Sequence, residues 1–224
     1  MTQTLRARMR AALVALLLCL AIVEIAAAED TIDPPGRVAR LSYTEGEVSV
    51  APAGTNDWAQ AVLNRPLTSG DRLLVEPGAR AELQLDSALI HLDAATHFSF
   101  LELDDESLLM SLSEGTATLH VRRRGAEERV QVETPNGAIS LLHPGEYTIE
   151  VDPDADMTVV KVRNGDAEVR AGNDSHGIRK GDVLEVRGAD GATVVRRRLE
   201  ERTDFERWAN ARNREREDAV SSRY

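Results

Sequence analysis

Cysteine is almost missing from this chain. Cys19 is the only one in 224 residues, and it falls in an apolar N-terminal run, so no internal disulfide can staple the fold. The body of the chain offers no thiol as nucleophile or metal ligand either. Aromatic residues are thin at 4%, which leaves no stacking platform for sugars or bases. Basic charge is outweighed, with 27 Lys and Arg against 38 Asp and Glu and a formal net charge of −11. Such acidity argues against nucleic acid and against adsorption to anionic lipid. The histidines, His91, His97, His120, His143 and His176, are scattered. None falls in the His-x-His or His-Glu-x-x-His spacing that brings imidazoles onto one metal, and no Gly-x-Ser-x-Gly elbow occurs. No catalytic residue, metal site or cofactor is assigned, and an enzyme is not expected.

The N-terminus has a recognisable order. Arg6, Arg8 and Arg10 precede an apolar run over 11–28, broken only by Glu24 and ending in Ala26-Ala27-Ala28 before Glu29-Asp30. This predicts a secretory signal peptide over 1–28, cleaved after Ala28. Glu24 and the small-residue cleavage site weigh against an uncleaved anchor, and Cys19 follows Leu18 rather than a small residue, which argues against a lipid anchor. The expected location is periplasmic or secreted, with membrane contact only before cleavage. Losing three arginines and one glutamate with the signal makes the remainder more acidic still. Asp33-Pro34-Pro35-Gly36 marks 29–37 as an extended linker.

From Val38 to about Arg197, short alternating segments recur at roughly ten-residue intervals, with no helical period. A parallel α/β fold is excluded. The segment 45–85 sets a phrase that later parts repeat. Gly46-Glu47-Val48 opens a strand, Trp58 lies in an excursion, and Gly70-Asp71 turns into Arg72-Leu73-Leu74-Val75. The opening returns at Gly115 and Gly165, and the Gly-acid turn returns at Gly145-Glu146 and Gly181-Asp182. Their unequal separations exclude a strict solenoid period. The expected fold is all-β: an irregular β-roll, a β-sandwich or a solenoid-like stack of short strands, with a short C-terminal helix. Strands are expected at 107–112, 117–121, 129–133, 147–151, 159–163 and 183–187.

The combination of Gly46-Glu47-Val48, Pro66-Leu67-Thr68-Ser69-Gly70-Asp71-Arg72-Leu73, Ala79 to Leu83, Ile90-His91-Leu92, Gly115 and Thr134-Pro135-Asn136-Gly137-Ala138 resembles the FecR domain, a periplasmic all-β module of iron-transport signalling. The resemblance spans 38–151, with 152–198 read as its continuation. Where many members have Arg-Gly-Thr followed by an aromatic, this chain has Leu142-His143-Pro144-Gly145-Glu146-Tyr147, and no cytoplasmic regulatory segment or internal membrane span precedes the domain. The resemblance implies an exported protein-interaction module of the cell envelope with another envelope protein as partner. It also leaves open a periplasmic component of signalling from an outer-membrane receptor to a sigma factor. Carbohydrate or peptidoglycan binding is a further alternative, expected to place exposed Trp58 beside paired carboxylates.

Residues 199–224 change character. Thr203 and Glu206 form a capping-box pattern ahead of a charged helix to about Asp218, with Phe205, Trp208, Ala209 and Arg212 on one face. That face is expected to dock on the β-domain or on a partner. Phe205, Trp208, Arg212 and Trp58 are the candidate partner-binding residues. The segment is similar to the tail of a proteobacterial subgroup of secreted FecR-like proteins of unknown role. Asp152-Pro153-Asp154-Ala155-Asp156 lacks the Gly and terminal Glu of a calcium loop, where Met157 and Arg163 stand, and reads as a hairpin turn. His91 and His97 read as exposed strand-end residues, and the triplets 122–124 and 196–198 as strand-end arginines that pair with the surplus acid or form small docking spots for an acidic partner.

Overall fold

The computed structural model describes residues 37–125, 127–188 and 192–221. The signal peptide predicted over 1–28 lies outside the described residues, as does all of the linker but Arg37. The strands are β1 (Ala39–Glu45), β2 (Val48–Ala51), β3 (Ala59–Gln60), β4 (Pro66–Leu67), β5 (Arg72–Val75), β6 (Arg80–Gln84), β7 (Ala88–Leu92), β8 (Thr96–Leu103) and β9 (Ser107–Val121). They continue as β10 (Arg129–Thr134), β11 (Gly137–Leu141), β12 (Gly145–Asp152), β13 (Met157–Asn164), β14 (Asp166–Ala171), β15 (Asp174–Arg179), β16 (Asp182–Arg187) and β17 (Thr193–Arg198). Helix α1 (Asp204–Ser221) follows.

Two sheets share these strands. Sheet A runs β4, β1, β6, β7, β9, β12, β13, β16, β17. Sheet B runs β3, β2, β5, β8, β9, β10, β11, β14, β15. Among the described residues only β9 and β10 pair in parallel, with Arg129 opposite Ser107. Strand β9 belongs to both sheets: its first half pairs with β8 and β10, its second with β7 and β12. The expected segments 107–112 and 117–121 are therefore one strand, bent rather than ended.

Period-two alternation decides what faces inward. In β12, Tyr147, Ile149 and Val151 join the buried cluster, as do Leu119 of β9, Ile90 of β7, Phe98 and Phe100 of β8, and Val169 of β14. One core thus draws on both sheets, and each fully buried Leu or Phe contributes about 2 kcal/mol. With no disulfide in this region, packing carries the stability.

The six repeated glycines share one role. Gly46, Gly70, Gly115, Gly145, Gly165 and Gly181 each stand where the chain passes from one sheet to the other. At Gly70 the turn is tied by Asp71, whose carboxylate accepts the N–H of Thr68 (2.9 Å) and of Ala53 (3.1 Å). Gly115 has φ +88°, and a Cβ there would collide with Ala95 O and Thr96 Oγ1. Gly165, also at φ +88°, leaves room for the buried Tyr147 ring, whose hydroxyl lies 2.6 Å from His143 O.

Gly115→Val is expected to destabilise the chain by about 3 kcal/mol through strain and collision. Urea unfolding should show a lower midpoint at unchanged slope.

Candidate functional site

The outer face of sheet A carries polar groups that a solvated sheet would leave wet, and helix α1 covers them. Its start is fixed as the capping pattern predicts: Glu206 N–H donates to Thr203 Oγ1 (3.2 Å), and Thr203 N–H donates to Glu206 Oε2 (2.8 Å). Spacing of three and four residues puts Phe205, Trp208, Ala209 and Arg212 on one side. That side turns onto the sheet. Phe205 and Ala209 are buried, and Trp208 packs edge-on to His91 of β7 at 5.5 Å and beside Tyr43 of β1 at 5.7 Å. Arg80 of β6 lies 5.2 Å over the Trp208 ring, and Arg212 lies 4.4 Å over Tyr43.

Charged pairs fix the helix along its length. Arg163 of β13 donates to Glu206 at 2.7 Å. Arg202, just before the helix, grips both carboxylate oxygens of Glu146 on β12. Near the middle, Glu82 of β6 is fully buried and accepts Arg212 Nε (2.9 Å), Arg216 Nη2 (2.9 Å) and the Ser42 hydroxyl (2.5 Å). His91 Nε2 stands 3.6 Å from the same carboxylate, outside hydrogen-bond range. Further along, His120 Nε2 lies 3.2 Å from Glu217. Burial opposes ionisation of Glu82, yet His91, Ser42 and Arg212 outweigh it and hold the carboxyl well below the usual carboxylate range. Burial also opposes ionisation of Glu206; Arg163 and the Thr203 N–H outweigh it and lower it too.

The structure brings Phe205, Trp208 and Arg212 together and leaves Trp58 apart. Trp58 is 45% exposed, on the outer face of sheet B with the Arg72 guanidinium 5.3 Å from its ring. It lines a pocket of about 200 Å³ with Arg72, Leu73, His97, Phe98, Ser99, Ser111 and Ser113. No carboxylate is among those residues. His91 corrects the sequence reading: it is fully buried under Trp208, whereas His97 is exposed as expected. Residues 153–156 form the expected turn between β12 and β13, with Asp152 the last residue of β12. Among the described residues no three His, Cys, Asp or Glu side chains are grouped so as to hold a metal, and no helix is long and apolar enough to cross a membrane.

Sequence reasoning missed Glu82, Glu146, Arg163 and Arg202. Glu82 reads as one more polar residue on an alternating strand, and its helix partners lie 130 and 134 residues away. The face alternation of β6 gives its direction but not its cover.

Residues 71–168 match the family model described as FecR protein. Two crystal structures of a candidate anti-sigma factor from Parabacteroides distasonis ATCC 8503, at 1.65 and 2.50 Å, are similar to this chain with a TM-score of 0.51 each, at 18% and 19% identity. Each match covers 58% of this chain and 60% of that chain, so the likeness is one of fold over part of both. No curated protein matches the sequence.

A carboxyl with a depressed folded-state pKa contributes stability present above its ordinary value, here 4.5, and lost as pH falls below it. Unfolding followed by tryptophan fluorescence is expected to show stability falling below that pH. Glu82→Gln should flatten part of the fall and leave the share owed to Glu206. Arg212→Ala with Arg216→Ala strips a buried carboxylate of its cations and should cost about 3 kcal/mol of helix docking, read as faster hydrogen exchange in α1.

Proposed function

We propose that this FecR-domain chain is a non-enzymatic protein-interaction module of the bacterial cell envelope, with α1 as a latch that a partner displaces from sheet A. The observation that carries this reading is the polar character of the docked interface. Glu82, Glu146 and Arg163 on the sheet meet Arg212, Arg216, Arg202 and Glu206 of the C-terminal segment. Charged groups can be rehydrated on both sides when such a contact opens, whereas an apolar interface would have to be exposed whole. An element held this way is suited to exchange against a partner of similar charge pattern. Phe205, Trp208 and Arg212 are then the residues that hold the latch closed and are released when the partner takes their place on the sheet, and Trp58 marks a separate surface.

A second reading is favoured by the FecR match over 71–168: the chain works as a periplasmic component of signalling from an outer-membrane receptor to a sigma factor. The fold likeness to a candidate anti-sigma factor supports it.

Trp208→Ala weakens the closed latch. Chemical cross-linking in the envelope fraction is expected to recover one partner protein in about tenfold greater yield with this variant. An unchanged or lower yield would argue against displacement of α1. For the second reading, deletion of the chain should abolish a sigma-factor-dependent reporter response, and an intact response would remove it.

A further inference from the structure

Strand β17 is the last strand of sheet A and β15 the last of sheet B, and among the described residues neither has a second strand neighbour. The hydrogen bonds at their ends settle which backbone groups are spare. Leu199 N–H donates to Gly181 O at 2.9 Å. With Arg198 opposite Asp182, that bond makes Thr193, Val195 and Arg197 the residues bonded to β16. Val194, Arg196 and Arg198 therefore turn their N–H and C=O groups outward. By the same reasoning Lys180 N–H to Gly165 O (3.1 Å), with Arg179 opposite Asp166, turns Ser175, Gly177 and Arg179 outward on β15. The two edges meet where Arg196 Nη2 donates to Gly177 O at 2.6 Å.

Between them lies a cleft of about 790 Å³ lined by Arg179, Arg196, Arg197 and Arg198, with Asp166 and Asp182 as its acids. Asp182 is engaged by Arg196 at 2.7 Å, and Asp166 stands 3.2 Å from His143. Among the described residues the guanidinium groups of Arg179 and Arg198 have no hydrogen-bond or ion-pair partner. A chain of net charge −11 thus concentrates unneutralised positive charge beside an unpaired strand edge.

We propose that β17 is a strand-addition site for an extended acidic peptide segment of an envelope partner. This rests on the reading of the chain as an interaction module and names the site and chemistry of one contact. The outward N–H and C=O of Val194, Arg196 and Arg198 supply the ladder, and the arginines select carboxylates at alternate positions of the incoming strand. A second copy is disfavoured as occupant, because antiparallel pairing of β17 with itself sets arginine against arginine. The acidic remainder of the surface repels the same peptide elsewhere and confines it to this edge.

The probe is a synthetic peptide of about eight alternating Glu and Val residues, with a Lys and Val peptide of the same length as control. Amide hydrogen exchange at Val194, Arg196 and Arg198 is expected to slow about tenfold with the Glu peptide and not with the Lys peptide, and the effect should shrink as salt rises. Arg198→Glu should weaken binding about tenfold. Val194→Pro, which removes an outward N–H, should do so without altering charge. Urea midpoints of both variants show whether the fold persists. Equal protection by both peptides, protection confined to Ser175, Gly177 and Arg179, or no protection would overturn the proposal. Protection at β17 with no partner recovered from the envelope would sink the module reading alone; a recovered partner without protection would sink the strand-addition site alone.

Discussion

A glycine at φ +88° in the middle of a fifteen-residue strand ties the two sheets together. Gly115 lets β9 leave sheet B and enter sheet A without breaking its ladder, so its Leu108, Met110 and Leu112 pack from one sheet while Ala117, Leu119 and Val121 pack from the other. With no disulfide in the folded body, this covalent continuity substitutes for a staple. Every other sheet crossing is a turn between strands, and its position follows from where β9 places the two layers.

The polar cover on sheet A depends on that arrangement. Because β6, β7, β9 and β12 lie side by side, Glu82, His91, Thr118 and Thr148 come together on one outer face, and all four are fully buried. Thr118 and Thr148 satisfy each other at 3.0 Å. Glu82 has the Ser42 hydroxyl and the His91 ring beside it on the sheet, and the helix adds two guanidinium groups. A buried carboxylate paired this way adds less to net stability than apolar packing would, but it fixes where the helix sits.

The FecR-matched segment ends within β14. It contains most of the receiving face for the helix, including Glu82, His91 and Glu146, while Ser42 and Tyr43 of β1 precede it. The strands β15 to β17, the arginine-lined cleft and α1 all come after it. The C-terminal third of the chain therefore completes both a closed, ion-paired face on sheet A and an open pair of strand edges.

Much of the architecture was legible in the sequence because its causes are local. Alternation within β12 or β16 gives strand and inward face, glycine before an acid gives the turn, and Thr203 with Glu206 gives the helix start. The repeated Gly46, Gly115 and Gly165 were visible as an echo, though not as sheet crossings, since a sequence states a bend and not what lies across it. Sequence pattern also put Phe205, Trp208 and Arg212 on one helix face. Only the tertiary structure decided that this face meets Glu82 and His91, that His91 is buried, and that Val194, Arg196 and Arg198 keep their backbone groups spare. Those facts depend on residues far apart in the chain being brought within a few ångströms, and no local preference of Glu82, His91 or Arg196 encodes which neighbour arrives.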